Sequence, residues 1–139
     1  RVIHAIGTPY ELMSEKEIAD YKKSWVERIV PPERQEKAAE CYLLPGEDGL
    51  NGYLWHAFSF ELVDALHGTE ARAAFDGAQR GSAVLISAWD DAGYRVSDSS
   101  KLTAAVLDEI IDVVITDSNF GWTYAKPHEE YLGPYFFRG

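Results

Sequence analysis

Cysteine is almost absent from this chain: Cys41 is the only one among 139 residues. An internal disulfide is therefore excluded, as is a zinc site built on two or more thiolates, and a lone thiol fits a reducing cytoplasm. No apolar run approaches the roughly 20 residues of a membrane-spanning helix. The opening Arg1-Val2-Ile3-His4 has no apolar segment of the signal-peptide kind, so the expected location is cytoplasmic. Neither G-x-x-x-x-G-K-S/T nor G-x-G-x-x-G occurs, so nucleotide phosphates find no evident cradle. No G-x-S-x-G nucleophile elbow is present either. None of His4, His56, His67 and His128 lies four residues from another, so no helical metal pair exists. The expectation is no metal and no cofactor. There is no internal repeat and no low-complexity linker, and the length fits one domain over residues 1–139, able to bury roughly two thirds of its unfolded surface.

Positive charge is also scarce. Thirteen Lys/Arg stand against 23 Asp/Glu, a net of −10. The deficit is lopsided. Residues 1–40 hold seven basic and eight acidic side chains; residues 41–139 hold six and fifteen, a net of −9. That acidic stretch also carries three of the four Trp and the cluster Phe120-Gly121-Trp122-Thr123-Tyr124. Such a surface repels nucleic acid and anionic membranes and suits a basic protein partner.

Hydrophobic periodicity orders the elements. Residues 1–13 read as an extended lead-in broken by Gly7 and Pro9. Ser14 with Glu17 makes a capping box, and Ile18, Tyr21, Trp25, Val26 and Ile29 recur at helical spacing, predicting a helix over 15–29. Pro31-Pro32 ends it, and Pro32 can open a second helix through about Tyr42. Tyr53 to Phe60 reads as an interior strand, Glu61 to Leu66 as a short helix, and Thr69 as the cap of another through Phe75. Ser82 to Trp89 is an apolar strand, Asp90 to Gly93 a turn, and Tyr94 to Ser97 a return strand. Thr103 caps a helix to about Ile110. Asp112 to Thr116 and Trp122 to Lys126 are strands around the turn Asp117-Ser118-Asn119, residues 127–132 are a turn or short helix, and Tyr135 to Phe137 is a last extended piece. The fold class is α+β: a mixed or antiparallel sheet of four to six strands, with the N-terminal helices and short helices packed on one side.

Few residues carry candidate chemistry. Cys41, on a predicted helix, reads as a buried structural thiol. His56, in an aromatic strand, reads as a packing histidine, with a catalytic base as the alternative. His128 with Glu129, near Asp117 across the predicted hairpin, is the best polar constellation. Asp90-Asp91 after Trp89 exceeds what a turn requires, because one carboxylate suffices to cap it. Asp108, Glu109 and Asp112 crowd a helix-to-strand junction where they oppose the helix dipole. Trp122 and Tyr124 share one face of their strand, and two readings stand: an ordinary core face, or an exposed aromatic ridge flanked by Asp117 and Glu129. The candidate partner-binding set is Trp89, Asp90, Asp91, Asp117, Phe120, Trp122, Tyr124, His128 and Glu129; no catalytic residue is assigned.

The stretch Leu54-Trp55-His56-Ala57-Phe58-Ser59, followed by Asn119-Phe120-Gly121-Trp122-Thr123-Tyr124, His128-Glu129 and Gly133-Pro134-Tyr135-Phe136, resembles a family of short uncharacterised bacterial proteins over about residues 50–137. The resemblance implies no activity. By size, acidity and single-domain character the chain is also similar in type to bacterial toxin-immunity proteins. The function expected is therefore an acidic binding protein that neutralises a basic toxin such as a nuclease. The alternatives are a small hydrolase- or lyase-type enzyme using His56 or His128 with Asp117 or Glu129, and a structural or regulatory interaction domain.

Overall fold

The computed structural model describes residues 9–34, 36, 56–59, 63–87, 92–128 and 133–138. Strand β1 (Tyr10–Leu12) leads into helix α1 (Glu15–Ile29). The capping box forms as expected: the Ser14 hydroxyl accepts the Glu17 N–H at 3.1 Å, and Glu17 Oε1 accepts the Ser14 N–H at 2.9 Å. A 3₁₀ turn follows at Pro32–Arg34, then α2 (His56–Ser59), β2 (Leu66–His67) and α3 (Thr69–Gly77). The remaining elements are β3 (Ala83–Ser87), β4 (Ala92–Val96), α4 (Ala104–Leu107), β5 (Val113–Asp117), β6 (Trp122–Lys126) and β7 (Tyr135–Arg138).

All seven strands join one sheet in the order β1-β4-β3-β5-β6-β7-β2, and every neighbouring pair is antiparallel. The class is α+β as expected, but the sheet exceeds the four to six strands read from the sequence. The extra members are the edge strands β1 and β2, three and two residues long. Segments that short carry no periodicity and exist only because a partner strand completes their hydrogen bonds.

Helices cover both faces, not one. Trp25, Val26 and Ile29 of α1, with Phe58 of α2, pack on Val84, Ile86, Val114 and Ala125. On the other face Phe75 of α3 and Leu107 of α4 pack on Leu85, Val113, Ile115, Trp122 and Tyr124. Alternation along β3 and β5 sends successive apolar side chains to opposite cores, which explains their unbroken apolar runs.

Other expectations are corrected. His56–Ser59 is helical where a strand over Tyr53 to Phe60 was read. Val63 to Ala65 are not helical, and Leu66 is a strand residue. Gly68, at φ +64°, takes the N-cap position of α3 with no side-chain cap, so Thr69 is the first helical residue instead of the cap. Thr103 does cap α4, accepting the Val106 N–H at 3.3 Å, but the helix stops at Leu107. Of the helix read from Pro32 to Tyr42, the described residues hold the 3₁₀ turn and Glu36; the rest, Cys41 included, lies outside the described residues. Among the described residues no helix is long and apolar enough to cross a membrane.

Candidate functional site

The β5–β6 hairpin builds a site where titratable side chains of separate elements meet around a cleft. Its register pairs Val113 with Lys126. The residues just past those paired ends, Asp112 and His128, therefore emerge beside each other. Asp112 Oδ2 lies 2.7 Å from His128 Nδ1 and accepts the His128 backbone N–H at 3.1 Å. Asp112 is 0% exposed, while the His128 side chain is 24% exposed. A carboxylate so completely removed from water needs such donors to offset its desolvation.

His128 lines a cleft of about 360 Å³ together with Arg72, Asp108, Glu109, Lys126 and the apolar Ile111. Arg72 of α3 pairs with Asp108 Oδ1 at 2.8 Å, just past the end of α4. The hydrogen bond to that exposed carboxylate holds the guanidinium pKa above its ordinary value. The Lys126 ammonium donates to the carbonyls of Asp108, at 3.0 Å, and Ile110. A cation on those terminal carbonyls suits the negative end of the helix and its following turn. Gly133, at φ +68°, completes the wall; a Cβ there would stand 2.8 Å from Pro127 Cδ and 3.2 Å from the Tyr135 ring.

The sequence-derived candidates divide sharply. Trp122 is 5% and Tyr124 0% exposed, so the aromatic ridge is core, not surface. Tyr124 stacks on Phe75 with centroids 4.2 Å apart, and burial pushes its phenol up to about 12. Phe120, half-buried at φ +63°, stacks on Tyr21 at 5.0 Å. Asp117 is spent on the hairpin turn: Oδ2 accepts the Gly121 N–H at 2.9 Å and its carbonyl accepts the Phe120 N–H at 2.9 Å. It closes one end of the hairpin while His128 stands past the other, on the order of 15 Å away by strand rise. The constellation of His128 with Asp117 is thus corrected: the carboxylate on His128 is Asp112. Trp89, Asp90, Asp91 and Glu129 lie outside the described residues, as does the side chain of His56.

Arg72 and Lys126 escaped the sequence reading, and Asp112 was noted only as part of an acidic junction. The signal for Asp112 was available in hairpin arithmetic. Strands over Asp112 to Thr116 and Trp122 to Lys126, turned at 117–121, bring residue 112 against 127 and 128. Arg72 had no local signal, since α3 reaches the cleft only through packing. Among the described residues no group of three or more His, Cys, Asp or Glu side chains could hold a metal ion.

A family model described as a domain of unknown function, DUF4275, matches residues 13–136, and the chain belongs to that family. Neither a curated protein nor a solved structure matches it.

Proposed function

We propose that this member of the family is an acidic, cytoplasmic binding protein whose α3/α4 face docks a basic protein, in the manner of an immunity protein masking a basic toxin such as a nuclease. One observation carries the reading: residues 41–139 carry a net charge of −9, and part of that excess is exposed on the α3/α4 side. The α3/α4 side exposes Glu70, Asp76, Asp98, Asp108 and Glu109 against Lys101 and the partly exposed Arg72 and Lys126. The α1 side holds Lys16, Lys23 and Arg28 among Glu15, Glu17, Asp20 and Glu27; ion pairs occur on both sides, Lys16–Asp20 and Arg95–Glu17 here and Arg72–Asp108 on the other. A surplus of one sign steers a partner of the other. Because Trp122 and Tyr124 belong to the core, the apolar anchor in this reading is Ile111, 55% exposed beside Asp108 and Glu109. The lone Cys41 supports the cytoplasmic assignment.

The test is capture from the source cell with the wild-type chain and with Glu70→Lys/Glu109→Lys, read by mass spectrometry. The expected result is a basic protein held by the wild type and released by the double variant. A captured set without basic proteins, or one indifferent to the charge reversal, overturns the reading.

A further inference from the structure

We propose that a row of serines, at the end of the sheet remote from His128, binds a neutral, hydroxyl-rich small molecule of the saccharide kind. The row lies on the face that carries α1, so the inference goes beyond the partner-binding reading and does not rest on it.

Sheet register builds the row. Ala83 pairs with Val96 of β4 and with Asp117 of β5. One residue further out, Ser82 therefore stands between Ser97 and Ser118. The ladder does continue there, since the Ser118 N–H donates to the Ser82 carbonyl at 3.2 Å. Directly opposed residues place their Cβ atoms about 5 Å apart on one face of the pleat. That face is the α1 one, because Val84 and Ile86, which follow Ser82 in alternation, pack against α1. Arg95, two residues before Ser97, shares it and bonds Glu17 of α1 at 2.7 Å. Glu11 of β1 stands opposite Arg95. Ser82, Ser97, Ser118, Arg95 and Glu11 all line one cleft of about 380 Å³, within the range of small-molecule sites.

The three hydroxyls are uncommitted. Ser14, Ser99, Thr103, Thr116 and Thr123 each give the hydroxyl to a hydrogen bond within the protein. The side chains of Ser82, Ser97 and Ser118 make no such bond among the described residues, and Ser82 and Ser97 are exposed. Strand ends bonded into a ladder hold the three in fixed relative positions, as a binding site requires.

Their chemistry selects the ligand. A hydroxyl donates one hydrogen bond and accepts others, so a row of hydroxyls matches a ligand whose own groups do both. An anion is disfavoured: Arg95 already holds Glu17, Glu11 adds a second carboxylate, and the chain has a net charge of −10. A small cation would use Glu11 and leave the serines without a role. A neutral polyol engages all of them, with Arg95 as a further donor and Glu11 as a further acceptor. Pro9, also in the wall, offers apolar surface to the C–H groups of a sugar ring.

The experiment is a proton–nitrogen NMR titration of the full chain with glucose, maltose and chitobiose. Inorganic phosphate and methylammonium, at matched ionic strength, are the anion and cation arms. At least one sugar is expected to shift the amides of Ser82, Arg95, Ser97 and Ser118 saturably, with a dissociation constant on the order of 1 mM, as suits a shallow site whose hydrogen bonds replace those to water. Ser82→Ala and Ser97→Ala should each weaken that binding about fivefold, the loss of one ordinary hydrogen bond, at an unchanged melting point. Thr69→Ala, at an exposed hydroxyl on α3, should leave it unaltered. Capture of a basic protein by the α3/α4 face is untouched by any of these results, so the two readings fail separately. No saturable shift with any of the three sugars, phosphate or methylammonium binding more tightly than the sugars at these residues, or sugar binding that survives both serine variants would each overturn the inference.

Discussion

The indole N–H of Trp25 donates to the Thr123 hydroxyl at 2.8 Å, joining residues 98 positions apart. The chain of bonds continues: Thr123 donates to Thr116 Oγ1 at 2.9 Å, and Thr116 to the Trp122 carbonyl at 3.1 Å. All these groups are buried, so α1 is tied to the β5–β6 hairpin by polar contacts that water cannot replace. Tyr21 adds a second tie through its hydroxyl, which donates to the Asp117 carbonyl at 2.9 Å.

Trp25→Ala should cost ~3–5 kcal/mol in denaturant unfolding, as for other large core truncations. Trp25→Phe should cost less, since it keeps most of the apolar volume and loses mainly the bond to Thr123, about 1 kcal/mol. A Trp25→Ala variant that melts with the parent would show that α1 does not hold the sheet.

Trp122→Ala should likewise destabilise by ~3–5 kcal/mol, because the ring is buried between Phe75 and Phe136. The fraction that remains folded should bind a partner normally. Weakened binding at unchanged stability would return this residue to the surface.

Alkaline pH should unfold the protein through its buried phenols. Burial raises Tyr21 and Tyr124 from 10.0 to about 12 in the folded chain. The unfolded chain therefore loses these protons first. Their contribution is fully present below pH 10 and is lost as pH climbs from 10 through about 12. Tyr124→Phe should flatten part of that fall. Near neutral pH it should be neutral or stabilising by up to about 1 kcal/mol, because the Tyr124 hydroxyl is buried without a hydrogen bond of ordinary geometry. Melting curves between pH 7 and 12 of parent and variant check both statements.

Gly133→Ala should destabilise by about 1–3 kcal/mol, from the left-handed backbone and the close approach to Pro127 and Tyr135. Gly77→Ala, where a Cβ meets nothing within 4 Å, is the matching control and should be mild. Equal melting points for the two variants would contradict the crowding at Gly133.

If the α3/α4 face docks a basic partner, association should slow markedly as salt rises to ~0.5 M, where the Debye length is only a few Å. Stopped-flow rates that do not change over that range would remove electrostatic steering from the account.

Local chemistry made part of this molecule legible in its sequence. The capping box at Ser14 and Glu17 and the apolar spacing from Ile18 to Ile29 set α1 at its observed bounds, and Thr103 set the start of α4. Strand β6 came out at Trp122–Lys126 as read, and its face alternation held, with Trp122 and Tyr124 in one core and Ala125 in the other. These features depend on neighbours within a turn or a pleat. The tertiary structure alone decided which faces became interior. Alternation separates two sides of a strand but does not say that helices will cover both, so an aromatic face that could have met solvent met Phe75 instead. It alone created β1 and β2, whose few residues are strands only against β4 and β7. The Asp112–His128 pair stands between the two: the strand bounds read from the sequence bring residue 112 against 127 and 128, but the hydrogen bond across 16 positions is made by the folded register and not by the character of either residue.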